Sequence, residues 1–272
     1  MNPIRETMKR IAPARLWREG SRGYWWWHNR GRHRLAGALS PRLAASRRAL
    51  ASMRGRHRGE RCFILGNGPS LARTDLSLLR GQVTFGMNRI YLLFPTLGYQ
   101  TTYYVAVNEL VVEQCAAELR ALRGPKFITW RARPWVHGDA EVIFLDSDYT
   151  GEERFATDVS ERVFEGSTVT FVSMQIAFHM GFEEVILLGV DHAFVAQGEP
   201  NAAVMSAGDD PDHFSPAYFG KGFRWQLPDL EASERAYLLA RRAYEAAGRR
   251  VMDATVGGKL TVFPKVEYRS LF

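Results

Sequence analysis

The sequence predicts an α/β fold: a Rossmann-like parallel sheet with helices on both faces, preceded by a basic helical N-terminal arm. Three observations carry this. Short apolar runs recur from residue 61 onward. They are continuous rather than alternating in polarity, as strands buried on both faces must be. Helix-period stretches separate several of them, which is the order that builds a parallel sheet.

The elements follow in chain order. Cys62-Phe63-Ile64-Leu65 is a buried strand that enters the turn Gly66-Asn67-Gly68-Pro69. Val83-Thr84-Phe85 is a second strand, ending at Gly86-Met87-Asn88, and the β-branched and aromatic run Thr102 to Val107 is a third, ending at Asn108. A helix from Glu109 to about Leu122 is stopped by Gly124-Pro125. Phe127 to Trp130 and Val142 to Leu145 are further strands. Thr168 to Met180 is helical, with Phe171, Met174 and Phe178 near one face and Gly181 as its stop. Val185 to Leu188 is another strand, ending at Gly189-Val190-Asp191. An irregular segment runs from His192 to Pro228. Asp229 then caps a helix that reaches Ala247 and closes at Gly248, before a last short strand, Arg250 to Asp253.

The composition fits one large folded domain or two small ones: 272 residues, 46% hydrophobic and 24% charged. No apolar run approaches the roughly 18 residues of a membrane-spanning helix. The N-terminus has arginines but no apolar core with a cleavage site, so a secretory signal is not expected. Two cysteines, Cys62 and Cys115, make neither a disulfide framework nor a metal cage. The expected location is cytoplasmic. Residues 1–60 hold 15 Lys/Arg against 3 Asp/Glu, whereas the other 212 hold 21 against 26. Such a split marks a basic arm on an ordinary folded body, with the boundary near residue 59: an arm of 1–59 and a folded domain of 60–272. Trp17, Trp25, Trp26 and Trp27 also lie in the arm. It suits a helical hairpin packed on the body, an anionic membrane surface on the inner face of the cytoplasmic membrane, or phosphates and bases. The acidic body argues against nucleic acid as partner.

Ligands of parallel sheets bind beyond the carboxyl ends of the strands. The polar residues there are Asn67, Ser70, Asn88, Asn108, Asp146, Asp148 and Asp191. In Leu65-Gly66-Asn67-Gly68-Pro69-Ser70-Leu71, two glycines permit close backbone approach, and exposed N–H groups are suited to a phosphate. This is not the dinucleotide fingerprint, because Leu71 replaces the third glycine and Asn88 stands where an acidic ribose ligand is expected. It is not a P-loop, and the same pattern also serves a plain tight turn. Asp146-Ser147-Asp148 places two carboxylates where they can hold a divalent cation, or where a solvated loop would lie. Ala254-Thr255-Val256-Gly257-Gly258-Lys259 is a second candidate phosphate turn, read as opening a helix.

Ile64-Leu65-Gly66-Asn67-Gly68-Pro69-Ser70-Leu71 resembles the opening motif of bacterial sialyltransferases that use CMP-activated sugars. It also resembles the MptE-like family, named after archaeal 6-hydroxymethylpterin diphosphokinase, and the flagellin-modifying Maf proteins. Gly86-Met87-Asn88-Arg89, then Gly166-Ser167-Thr168 through Gly189-Val190-Asp191, then Asp212-His213-Phe214 with Tyr218 continue the resemblance in order, from about Arg61 to Gly258. It implies a nucleotide and donor site built from Gly66, Asn67, Gly68, Ser70, Asn88, Ser167, Thr168, Asp191 and Tyr218, with His213 as general base. The sialyltransferases place a tyrosine pair just after the position of Asp191 to stabilise the departing phosphate. This chain has His192, Ala193 and Phe194 there, which leaves Tyr218, Lys221 or Arg224 for that role.

The function expected on this basis is a glycosyltransferase moving an acidic sugar from a CMP-sugar donor to a surface glycan or glycolipid, with no tightly bound cofactor and no metal. The alternative is an ATP- and Mg²⁺-dependent diphosphokinase of the pterin type, using Asp146 and Asp148 for the metal. A third reading is a non-catalytic nucleotide-binding module. Metal dependence separates the first two, since phosphoryl transfer needs its charge neutralised.

Overall fold

The computed structural model describes residue 37 and residues 39–149, 153–196 and 198–272. The arm's four tryptophans therefore lie outside the described residues. The chain divides into two compact units, residues 1–44 and 45–272.

Seven parallel strands form the sheet: β1 (Arg61–Leu65), β2 (Thr84–Met87), β3 (Tyr103–Ala106), β4 (Lys126–Thr129), β5 (Val142–Leu145), β8 (Glu184–Leu188) and β11 (Arg250–Asp253). Their order is β11-β8-β1-β2-β3-β4-β5. Every neighbouring pair is parallel, and β1 is bonded to β8 on one side and β2 on the other. The chain moves outward from β1 in one direction through β5, then returns to place β8 and β11 on the other side. The reversal of strand order beside β1 leaves a crevice at the carboxyl ends of β1 and β8.

The continuous apolar runs have the cause expected of them. Cys62 and Ile64 of β1, Phe85 and Met87 of β2, Tyr103 and Val105 of β3, and Val185 and Leu187 of β8 belong to one core cluster. The intervening Phe63, Leu65, Tyr104, Ile186 and Leu188 are equally buried. Both faces of the sheet are covered.

The described residues form six α-helices: α1 (Pro41–Ser52), α2 (Phe94–Leu97), α3 (Glu109–Gln114), α4 (Ala116–Ala121), α5 (Val169–Met180) and α6 (Leu230–Ala246). The helix expected over 109–122 is two: Cys115 leaves helical geometry at φ −115° and separates α3 from α4. Asn108 caps α3 through its amide Oδ1, which accepts the Leu110 N–H, and Asp229 caps α6 through a carboxylate oxygen, which accepts the Ala232 N–H. Helix α5 is buried along almost its whole length, capped by Thr168 and stopped by Gly181 at φ 94°. Residues 45–59 pack with the body rather than apart from it: Leu50 and Met53 join the core cluster, and Gly55 and His57 donate backbone hydrogen bonds to His179 and Met180.

The segment expected to be irregular, 192–228, contains a small antiparallel hairpin of β9 (Ala203–Met205) and β10 (Arg224–Gln226). A second small pair, β6 (Ser147–Asp148) and β7 (Val163–Phe164), is parallel. No helix opens at Ala254–Lys259; Thr255 is buried there and accepts the Val190 N–H at 3.1 Å. Among the described residues no helix is long and apolar enough to cross a membrane.

Candidate functional site

The turn after β1 lies against the turn after β8, and glycine makes this possible. A Cβ on Gly66 would lie 2.2 Å from the Gly189 carbonyl oxygen, and one on Gly68 would lie 2.0 Å from Asp191 Oδ2. Gly68 has an ordinary φ of −67°, so it is required for space and not for backbone freedom. The turn's N–H groups are largely taken by the protein itself. Gly66 donates to Leu188 O, Gly68 to Gly189 O, and Leu71 to Gly68 O. The Ser70 N–H and hydroxyl both donate to the Asp191 carboxylate, at 3.1 and 2.6 Å. Ser70 is fully buried. Here the structure differs from the expectation of exposed donors: these residues join the two strand ends to each other, and a phosphate finds few N–H groups on this turn.

The turns after β1 and β2 also hold unpartnered acceptors. Asn67 Nδ2 donates to the Met87 carbonyl at 3.2 Å, which fixes the amide and turns Oδ1 away from that carbonyl. Asn67 Oδ1 and Asn88 Oδ1 are buried and have no hydrogen-bond partner among the described residues. Asn88 sits in the left-handed region at φ 50°, its carbonyl held by the Tyr104 hydroxyl at 2.6 Å. Two buried carbonyl-type oxygens at adjacent strand ends are costly unless something donates to them. Hydroxyl and amine groups can donate to such oxygens, whereas an ionised phosphate oxygen cannot.

The loop that carries His213 is tied directly onto these turns. Phe214 donates its N–H to Asn67 O at 2.9 Å. The Arg89 N–H donates to the Tyr218 hydroxyl at 3.3 Å, and the Arg89 guanidinium bonds the carbonyls of Ala217 and Tyr218. Tyr218 is wholly buried, and burial pushes its hydroxyl far above its ordinary pKa, so it acts as a neutral phenol. The His213 ring stacks flat on it, centroids 3.9 Å apart at 5°. His213 Nδ1 is 2.8 Å from Asp210 Oδ2. Asn67, Asn88, His213 and Tyr218 are thus brought together by bonds between the loop and the turns after β1 and β2.

Ser167 and Thr168 lie at the N-terminus of α5. Helix α5 leads into the start of β8, so its N-terminus lies at the carboxyl end of the sheet. Ser167 is exposed at φ 60°, and Thr168 Oγ1 lies 3.3 Å from the Tyr237 hydroxyl. Tyr237 in turn has its ring 6.2 Å from that of His192. His192 follows Asp191 in a left-handed conformation, φ 53°, with Nε2 3.7 Å from Glu234.

The remaining candidates are placed elsewhere. Arg224 is ion-paired with Glu113 at 2.9 Å on the hairpin's seam with α3, and Lys221 is exposed. Asp146 pairs with Arg47 at 3.1 Å and Arg162 at 3.5 Å, and Asp148 lies 3.9 Å from Arg162. These two carboxylates follow β5, the edge strand furthest from β8. Arginines already balance their charge, so the pair does not fit a catalytic Mg²⁺. Sequence reasoning missed Asp210 and Glu234. Asp210 had a signal, three residues before His213, but it stands in the run Asp209-Asp210-Pro211-Asp212, which reads as solvated.

No protein-family model matches the chain, and no curated protein matches it by sequence. A solved structure with a similar fold is the MAf glycosyltransferase from Magnetospirillum magneticum AMB-1. It is 15% identical with a TM-score of 0.51, and the match covers 86% of this chain and 40% of that one. The chain thus spans about two fifths of that protein's length, and the likeness is one of fold.

Proposed function

We propose that the chain is a glycosyltransferase that moves an acidic sugar from a CMP-activated donor to a hydroxyl of a surface glycan or glycolipid. The observation that carries this is one grouping: two unpartnered amide oxygens, Asn67 Oδ1 and Asn88 Oδ1, and a histidine whose loop is bonded to the same two turns. The oxygens receive donors from the nucleoside end of the ligand. In this reading the phosphate lies toward Ser167, Thr168 and His192, away from the glycine turn. His213 faces the acceptor hydroxyl as general base. The structural neighbour is a protein named as a glycosyltransferase, which agrees with this chemistry on this fold. The diphosphokinase alternative finds no support in Asp146 and Asp148, whose partners are arginines.

A thermal-shift panel of CMP, CDP, UDP, GDP and ATP, each with and without Mg²⁺, tests the reading. CMP is expected to raise the melting temperature without metal; saturation at 100 times Kd corresponds to about 2.7 kcal/mol. Stabilisation by ATP alone, and only with Mg²⁺, establishes the diphosphokinase instead. No response to any nucleotide overturns both.

A further inference from the structure

We propose that Asp210 is a positioning residue that fixes the proton of neutral His213 on Nδ1 and so leaves Nε2 as the basic atom. The inference rests on the reading of His213 as general base, and it concerns what makes that histidine competent. Free imidazole exchanges its proton between two nitrogens, and only the nitrogen without the proton can accept another. A loop histidine therefore needs a device that selects the tautomer.

The Asp210 carboxylate is that device. Its side chain is 6% exposed and that of His213 is 11% exposed. Oδ1 accepts the Asp212 N–H at 2.9 Å, while Oδ2 accepts the Phe219 N–H at 3.1 Å and lies 2.8 Å from His213 Nδ1. The two backbone donors hold both carboxylate oxygens in place as acceptors. An acceptor-only group at that distance requires the proton to sit on Nδ1. Rings then keep the imidazole from turning: Tyr218 lies flat beneath it at 3.9 Å, and Phe219 meets it edge-on at 4.9 Å. Nε2 has no hydrogen-bond partner among the described residues. Two further charged groups lie on the surrounding elements: the Asp212 carboxylate accepts the N–H groups of Val195 and Ala196, and Arg89 is bonded to the carbonyls of Ala217 and Tyr218, 6.0 Å from the Tyr218 ring.

The step balances as follows. The acceptor O–H gives its proton to the lone pair on Nε2, and the acceptor oxygen forms a bond to the anomeric carbon. The bond from that carbon to the phosphate oxygen breaks, and its electron pair leaves with the nucleotide. The resulting imidazolium donates from Nδ1 to a carboxylate already in place, and later loses its new proton to water. A carboxylate that merely tied the loop through Asp212 and Phe219 would leave the histidine's tautomer unselected.

The test is long-range ¹H–¹⁵N correlation of the histidine side chains in the full chain above the histidine titration range, with His213 assigned through His213→Gln. The wild-type ring is expected to show the protonated nitrogen at Nδ1 and the bare one at Nε2. Asp210→Ala, shown by its CD spectrum to be folded, is expected to lose that assignment, with Nε2 protonated or the two forms averaged. A wild-type proton on Nε2 overturns the proposal, as does an unchanged tautomer in folded Asp210→Ala. Where that variant fails to fold, the wild-type spectrum decides alone. The measurement uses no nucleotide. A failure of the transferase reading therefore appears in the ligand panel, and a failure of this inference appears in the tautomer.

Discussion

Asp191 organises the crevice floor through one buried contact. Its carboxylate is the acceptor for both donors of Ser70, and the space beside it is the space that Gly68 leaves open. Asp191→Ala leaves an N–H and a hydroxyl buried without an acceptor, at a cost of about 3 kcal/mol. Urea unfolding is expected to show this as a lower midpoint with an unchanged slope. A loss below about 0.5 kcal/mol would mean that the two turns are held by something else. The sequence marks this place by its glycine spacing, because close approach needs glycine whatever the approaching group is. It does not say that the approaching group is the protein's own Asp191, since that partner lies 121 residues further along the chain. For the same reason Asp210 is hidden. Its neighbours in sequence are acidic and polar, whereas its neighbours in space are aromatic rings.

Between elements, the fit of α1 against the end of α5 depends on one histidine. His179 Nε2 donates to the Leu50 carbonyl at 2.8 Å, and burial lowers its pKa below the ordinary 6.5. Arg54 lies near it, and Asp158 is 3.4 Å from Nδ1. A histidine harder to protonate in the folded state lets the unfolded state bind more protons. Its contribution to stability is therefore complete above about pH 6.5 and is lost as pH falls from there toward the folded value. Stability measured from about pH 7.5 down to about pH 5 is expected to fall in this way, and His179→Gln should remove that part of the slope. Parallel profiles for the two proteins would refute the linkage. Elements themselves were largely legible, because a strand buried on two faces must be a continuous apolar run and a capped helix must carry its cap. The miss was at short range. The break at Cys115 lies between two stretches that share one apolar pattern, and β9 and β10 are three residues each, too short for alternation to show.

For the whole molecule, charge and packing draw different boundaries. Basic residues continue to Arg58, but residues 45–59 pack in the body, so the separable unit is 1–44. Those 44 residues hold 10 Lys/Arg against 2 Asp/Glu and all four arm tryptophans. Flotation with anionic vesicles is expected to carry the full chain and to lose it when residues 1–44 are removed, with salt weakening the association. The nucleotide response should survive that truncation. Equal flotation with and without the segment would leave packing as its role.

The strand order also sets when the crevice can exist. Strands β1 to β5 are neighbours in the sheet in the order in which they leave the ribosome. They can zip together during synthesis, each against the one before. β8 cannot, because Glu184 pairs with Arg61 across more than a hundred residues of intervening chain. Such non-local parallel pairing is slow, and domains emerge N-terminal end first. A nascent chain therefore carries its five-stranded half-sheet with an open β1 edge until β8 arrives, an edge that invites wrong pairing. The same late strand that covers this edge also brings Asp191 to Ser70, so protection from misassembly and the joining of the two turns arrive in one event.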